Sequence, residues 1–267
     1  MPKVQVNGID LFYDIKGEGE PLLLIAGFSC DHTYWSLLMP SLVNQYQVIR
    51  LDNRGMGQTS APDYPHSILQ MASDTAALLD HIGIKKLHLA GHSMGGQIAQ
   101  ELALAHPEKV QSLILLSTLA KGDALFNSVI ETWGILLPTI ELELYEKLVL
   151  PWIFTDAFYS IPGMIEMIIK MAINYPFLPT PQALYHQSQA IIASDTKDRL
   201  QNIHCPTLVV VAKQDILTPI KFSEELATGI PNAELLVLDS GGHGLLIESP
   251  ETVASEILQF LSNLHVN

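Results

Sequence analysis

Along most of the chain, short apolar runs alternate with segments whose apolar residues recur every three or four positions. That alternation predicts a mostly parallel sheet with helices on both faces. Lys3–Val6 and Leu11–Ile15 read as strands joined at Asn7-Gly8, a dipeptide that favours a two-residue hairpin. Pro21–Gly27 is apolar without alternation, as a strand buried on both faces requires. Val48–Asp52, Lys86–Ala90, Val110–Leu116, Thr207–Val211 and Glu234–Leu238 repeat the strand signal, which makes eight strands. Helices are predicted over about residues 33–44, 67–82, 97–106 and 251–264. The last is expected to open with Ser249 as its cap and Pro250 in its first turn.

Between Ser117 and Cys205 the strand rhythm stops. This stretch is rich in Leu, Ile, Met and aromatic residues, with helical patterns at Leu142–Leu150 and Met164–Ile173. It is too long for a loop of a compact domain. The economical reading is a helical cap, residues 120–200, inserted after the sixth strand of a core made by residues 1–119 and 201–267.

Composition narrows the functional classes. At 267 residues and 48% hydrophobic, the chain has material for one large core and a cap. A net charge of −14 with no basic cluster argues against nucleic acid and anionic membrane surfaces as partners. The longest charge-free stretch, Met171–Ser194, is broken by Pro176, Pro179 and Pro181, so no membrane span is expected. The N-terminus lacks an apolar signal region, and Cys30 and Cys205 form no C-x-x-C pair; a reducing cytoplasm fits both observations.

The candidate chemistry starts at Leu89-Ala90-Gly91-His92-Ser93-Met94-Gly95-Gly96, where G-x-S-x-G lies between a strand pattern and a helix pattern. Glycines two before and two after the serine let strand and helix approach where a Cβ would collide. Ser93 is thereby pushed out at the carboxyl end of a strand. The Met94 amide points into the same space at a helix N-terminus, where negative charge is stabilised.

A serine needs a base, and the base a third group to orient it. Asp215 follows the buried strand Thr207–Val211 by four residues, with a helix cap as the alternative role. His243 sits in the glycine-rich loop Ser240–Gly244 after the last strand. Asp239 is a rival acid, awkwardly placed four residues before that histidine. His92 is too close in sequence to fold back onto Ser93 and is expected to support neighbouring loops. Phe28 is the candidate second amide donor to an oxyanion, with Gly27 permitting the tight turn. Cys30 is a weak rival nucleophile because no motif ties a histidine to it.

Other patterns carry less. Gly91–Gly96 imitates a phosphate loop but lacks the Lys-Ser/Thr that follows one, and Gly55-x-Gly57 lacks the third glycine of a dinucleotide site. Scattered histidines give no metal spacing, and no cofactor is implied. Phe126, Trp133, Trp152, Phe154, Phe158 and Tyr159 either line an acyl pocket or simply pack cap helices together.

Five blocks together resemble the α/β-hydrolase superfamily, in its lidded carboxylesterase and enol-lactonase-like branch. They are Gly27-Phe28 with Trp35, Asp52–Ser60, Gly91–Gly96, Asp215–Pro219, and Gly242-His243 with Glu248-Ser249-Pro250. The resemblance runs nearly end to end, leaving only the cap without distinctive motifs. Two positions depart from it: Ala26 stands where the family usually has histidine, and Ala212 where it commonly has glycine.

The resemblance implies an α/β-hydrolase fold and a Ser93–His243–Asp215 triad with Phe28 and Met94 amides as oxyanion hole. It implies a small-molecule ester or lactone with an apolar part as substrate. Two alternatives stand beside this. One is carbon–carbon bond hydrolysis or perhydrolysis on the same triad. The other is a slow-turnover ligand sensor, because Gly27–Asp31 with Trp35 is also similar to hydrolase-fold signalling proteins. No motif sets acyl length, leaving group or oligomeric state.

Overall fold

Asn7 and Gly8 both take positive φ (45° and 80°), the geometry of a two-residue hairpin turn. In the computed structural model, which describes residues 2–264, that turn joins β1 (Lys3–Val6) to β2 (Ile9–Lys16). β3 (Glu20–Ile25), α1 (Met39–Leu42), β4 (Tyr46–Leu51), α2 (Ile68–His81), β5 (Leu87–His92), α3 (Met94–Ala105) and β6 (Val110–Leu116) follow. Five helices come next: α4 (Ala124–Leu136), α5 (Leu142–Ile153), α6 (Asp156–Tyr159), α7 (Met164–Ile173) and α8 (Pro181–Ala193). The chain closes with β7 (Thr207–Ala212), α9 (Ile220–Gly229), β8 (Ala233–Leu238), α10 (Leu245–Glu248) and α11 (Pro250–Asn263).

The eight strands form one sheet in the order β1-β2-β4-β3-β5-β6-β7-β8. β2 pairs antiparallel with both β1 and β4, and every other pairing is parallel. This is the α/β-hydrolase fold. Its core lies in two layers. Leu23 and Ile25 of β3 point into one, Leu22 and Leu24 into the other, which is why the strand shows no alternation in sequence. Each fully buried leucine contributes roughly 1.5–3 kcal/mol.

Two expected elements differ. The helix over 33–44 is split into a 3-10 turn, His32–Trp35, and the short α1. Pro40 in the first turn of α1 has no N–H to continue a helix from upstream, so a new one starts there. Ser249 makes no side-chain cap. It joins α10 to α11 back to back, and its N–H donates to the Leu245 carbonyl at 3.0 Å.

The five helices between β6 and β7 form a continuous insertion. Its ends are pinned together by an antiparallel bridge and an ion pair (2.6 Å) between Lys121 and Asp195. No helix among the described residues is long and apolar enough to cross a membrane.

Candidate active site

Ser93 lies between β5 and α3 with φ 54° and ψ −121°, a strained conformation for a residue with a Cβ. Its neighbours explain how the turn is possible. A Cβ on Gly91 would meet the Gly95 carbonyl oxygen at 2.2 Å, and one on Gly95 would meet that of Ile25 at 2.2 Å. Only glycine fits either position. The Ser93 N–H donates to the Leu116 carbonyl (2.9 Å) and Thr118 Oγ1 donates to the Ser93 carbonyl (2.7 Å), locking the turn against β6.

The structure brings Ser93, His243 and Asp215 into a line. His243 Nε2 is 3.0 Å from Ser93 Oγ, and His243 Nδ1 is 3.1 Å from Asp215 Oδ2. With Nδ1 donating to the carboxylate, Nε2 presents its lone pair to the serine hydroxyl. Asp215 does not cap α9, which starts at Ile220 behind Pro219. Its Oδ1 instead accepts from the N–H groups of Leu217 (3.0 Å) and Thr218 (2.7 Å), and Thr218 Oγ1 donates to Oδ2 (2.7 Å). Burial works against ionisation of this carboxyl, but the facing His243 and the bonds from His243 and Thr218 hold it below the usual range. Asp239 is exposed and paired with Lys213 at 2.5 Å, away from the histidine.

His92 lies behind His243, its Nε2 2.9 Å from the His243 carbonyl oxygen and 3.5 Å from Tyr34 Oη. It steadies a neighbouring loop, as expected from its position in the sequence. Cys30 is a neutral thiol: burial first, then the charges of Asp31 and Glu146, push it up to about 12.

Phe28 lines the chamber that holds Ser93. Among the described residues, neither its amide nor that of Met94 donates a hydrogen bond, so both are free for an anion. The reason for Gly27 differs from the expected turn. Ser29, not Gly27, carries the positive φ (57°). Glycine at 27 instead permits close approach, since a Cβ there would stand 3.1 Å from that of Ser93.

This loop is held from both sides by residues that sequence reasoning gave no role. Asn53 Nδ2 donates to the Ala26 carbonyl (3.1 Å), and Gln187 of α8 accepts from the Ser29 N–H (3.2 Å). Glu248 holds the His243 loop to the insertion: its Oε1 accepts from the Gly242 N–H (2.9 Å), its Oε2 from Thr155 Oγ1 (2.6 Å). Asn53 and Glu248 fall within the resembling blocks, which is the signal available for them. Gln187 has no such signal.

Asp31, His32 and Asp52 form the one group of three metal-ligand residue types found close together among the described residues. Their donor atoms are committed to protein. Asp52 Oδ1 accepts from the His32 N–H (2.8 Å) and lies 2.6 Å from His32 Nδ1, while Oδ2 accepts from the Gln58 N–H (2.8 Å). Burial disfavours charge on His32, but Asp52 outweighs it and raises its pKa. The cluster is a hydrogen-bonded brace for the loop after β3.

The Ser93 chamber has a volume of about 200 Å³. Of the six aromatic residues in question, Phe126, Trp133 and Phe154 line it. Phe158 stacks on Phe154 (4.5 Å between centroids), Trp152 packs part-buried against the main core, and Tyr159 is exposed.

An eight-stranded sheet of this order with a serine on its strand-to-helix elbow is the framework of an α/β hydrolase. The chain belongs to the α/β-hydrolase fold family, whose profile matches residues 20–250. It is 32% identical over 266 residues to the candidate carbamate hydrolase RutD of Azorhizobium caulinodans, covering 99% of both chains. Among solved structures it is similar to a thermophilic esterase from Thermogutta terrifontis (28% identity, TM-score 0.87, 98% of this chain and 97% of that one). It is also similar to the enol-lactonase from Burkholderia xenovorans (27% identity, TM-score 0.89, 98% of this chain and 100% of that one).

Proposed function

We propose that this chain is a cofactor-independent serine hydrolase for a small-to-medium carboxylic ester or lactone with an apolar part. The observation that carries the reading is the 3.0 Å approach of His243 Nε2 to Ser93 Oγ with Asp215 behind the imidazole. On this reading residues 120–200 are a cap over a core of residues 1–119 and 201–267.

Ser93 Oγ attacks the carbonyl carbon while its proton passes to His243 Nε2. The oxyanion lies against the Phe28 and Met94 amides, at the N-terminus of α3. Collapse breaks the bond to the leaving alkoxide, which takes the proton from His243. In a lactone that alkoxide stays attached to the acyl group. Water then attacks the acyl carbon, gives its proton to His243, and Ser93 recovers it as the acid departs. Asp215 keeps the imidazole in the required tautomer and stabilises it when charged.

The name of the Azorhizobium relative favours a second reading, carbamate hydrolysis, in which the same attack falls on a carbonyl flanked by nitrogen. A panel of p-nitrophenyl esters of increasing chain length, simple lactones and aryl carbamates separates the two by kcat/KM. A fluorophosphonate is expected to label the protein on Ser93, located by mass spectrometry. A protein that resists the probe and turns over no member of the panel overturns both.

A further inference from the structure

A second cavity, about 450 Å³, lies beyond the Ser93 chamber. The two share Ser29, Cys30, Tyr34 and Glu146 in their walls, so the outer one begins where the inner one ends. Three carboxylic side chains line the outer cavity, Asp31, Glu141 and Glu146, and no lysine, arginine or histidine does. Asp31 is occupied: Thr33 donates to it through N–H and hydroxyl, and Tyr175 through its phenol.

Glu146 is different. It is part-buried in α5 and makes no hydrogen bond or ion pair among the described residues. Desolvation pushes its carboxyl up to about 7. Next to it Tyr145, buried and also lining the outer cavity, has a hydroxyl with no partner among the described residues. A carboxylate withdrawn from water without a counter-charge is costly, and a cation that hydrogen-bonds to it offsets part of that cost. An overall charge of −14 raises the local concentration of such a cation.

We propose that Glu146 is a specificity-determining residue that receives a protonated amine of the substrate at the junction of the two cavities. The reacting carbonyl lies in the inner chamber at Ser93, and the nitrogen-bearing arm extends toward the outer one. The ammonium N–H donates to the Glu146 carboxylate, a charge-assisted hydrogen bond in an apolar setting. This deepens the ester-hydrolase reading and rests on it for the carbonyl end alone.

Two isosteric esters test it: 3-(dimethylamino)propyl butyrate, a cation at pH 7.5, and 4-methylpentyl butyrate, its neutral counterpart. The wild-type protein is expected to prefer the cation by about tenfold or more in kcat/KM, because the hydrogen bond it makes to Glu146 is charge-assisted and the neutral ester makes none. In Glu146→Gln that ratio is expected to collapse toward unity, mainly through KM, and Glu146→Asp is expected to restore part of it. Equal kcat/KM for the two esters in the wild type overturns the proposal while leaving the ester reading intact, even if the variants fail to fold. If neither ester is hydrolysed, the ester panel and the fluorophosphonate decide the ester reading, and calorimetric binding to Ser93→Ala decides the amine site. Tighter binding of the cation by about tenfold, lost in Ser93→Ala/Glu146→Gln, supports it, and equal binding overturns it.

Discussion

The imidazole of His92 lies 4.9 Å from that of His243, centroid to centroid, and donates from Nε2 to the carbonyl of the same residue at 2.9 Å. The residue before the elbow serine thus holds the backbone of the proposed base. Burial first, and the charge of His243 second, push His92 down to about 3, so it stays neutral and keeps the Nε2 proton. Tyr34 and Asp215 are the other titratable groups facing it.

The sign of the pH effect follows. Below about 6.5 the unfolded chain takes up a proton at position 92 that the folded chain refuses until about 3. Stability is full above 6.5 and falls as pH drops through that window, by on the order of 5 kcal/mol for a shift of this size. His92→Phe is expected to flatten that slope in urea titrations at pH 4.5 and 7. It is also expected to lower kcat by about tenfold, because the backbone that carries His243 loses the donor that fixes its position. Parallel pH profiles for the two proteins would count against the neutral assignment.

Ser93→Ala is expected to abolish hydrolysis of p-nitrophenyl butyrate and labelling by a fluorophosphonate, with an unchanged circular dichroism spectrum. The methyl side chain keeps the elbow and its bonds to Leu116 and Thr118, both of which use the backbone of residue 93. Undiminished turnover would remove Ser93 from the chemistry.

Asp215→Asn is expected to cut kcat by orders of magnitude, ~10⁴ in a well-studied serine triad, because an amide facing Nδ1 favours the wrong tautomer. Asp239→Asn removes only an exposed, solvent-screened partner of Lys213 and is expected to change kcat by less than about twofold. The reverse ranking would move the orienting carboxylate to position 239.

How much of this was legible depends on the range of each interaction. The strands and the elbow are local patterns, and β5, Ser93 and α3 stand where Lys86–His106 places them, although α3 starts at Met94 rather than three residues later. The meeting of Asp215 and His243 follows from both lying in the loops after neighbouring parallel strands, β7 and β8. Gln187 carries no such address. It reaches the Ser29 amide from 158 residues away, across an insertion whose path no periodicity encodes. Gly27 was legible as a requirement but not as a reason, because the clash it avoids is with Ser93, a tertiary neighbour.

Glycine substitutions separate the elbow from ordinary turns. Gly95→Ala drives a methyl to 2.2 Å from the Ile25 carbonyl oxygen, on a rigid strand, and is expected to cost about 3 kcal/mol or more. Gly83→Ala, after α2, meets nothing within 4 Å and carries only the penalty of its positive φ (75°), about 1–2 kcal/mol. Urea denaturation of the two variants compares them directly, and equal losses would mean that the elbow relaxes.

Glu146 makes the opposite pH prediction to His92. Its carboxyl is raised from 4.5 to about 7, so between those values the folded chain keeps a proton that the unfolded chain has released. Stability therefore falls as pH rises through this window and stays low above it. The groups whose titration it affects, Cys30 and Tyr145, are themselves pushed up, by burial first and by acidic neighbours including Glu146, and stay neutral throughout. Glu146→Gln is expected to match the wild type near pH 4.5 and to exceed it at pH 8 by on the order of 2–3 kcal/mol, read by urea denaturation. A variant no more stable than the wild type at pH 8 would show that the carboxylate is solvated or paired after all. A gain at pH 8 has a functional meaning, because a side chain that weakens the fold at working pH, in the wall of the proposed substrate chamber, is the kind of residue whose cost is offset by activity.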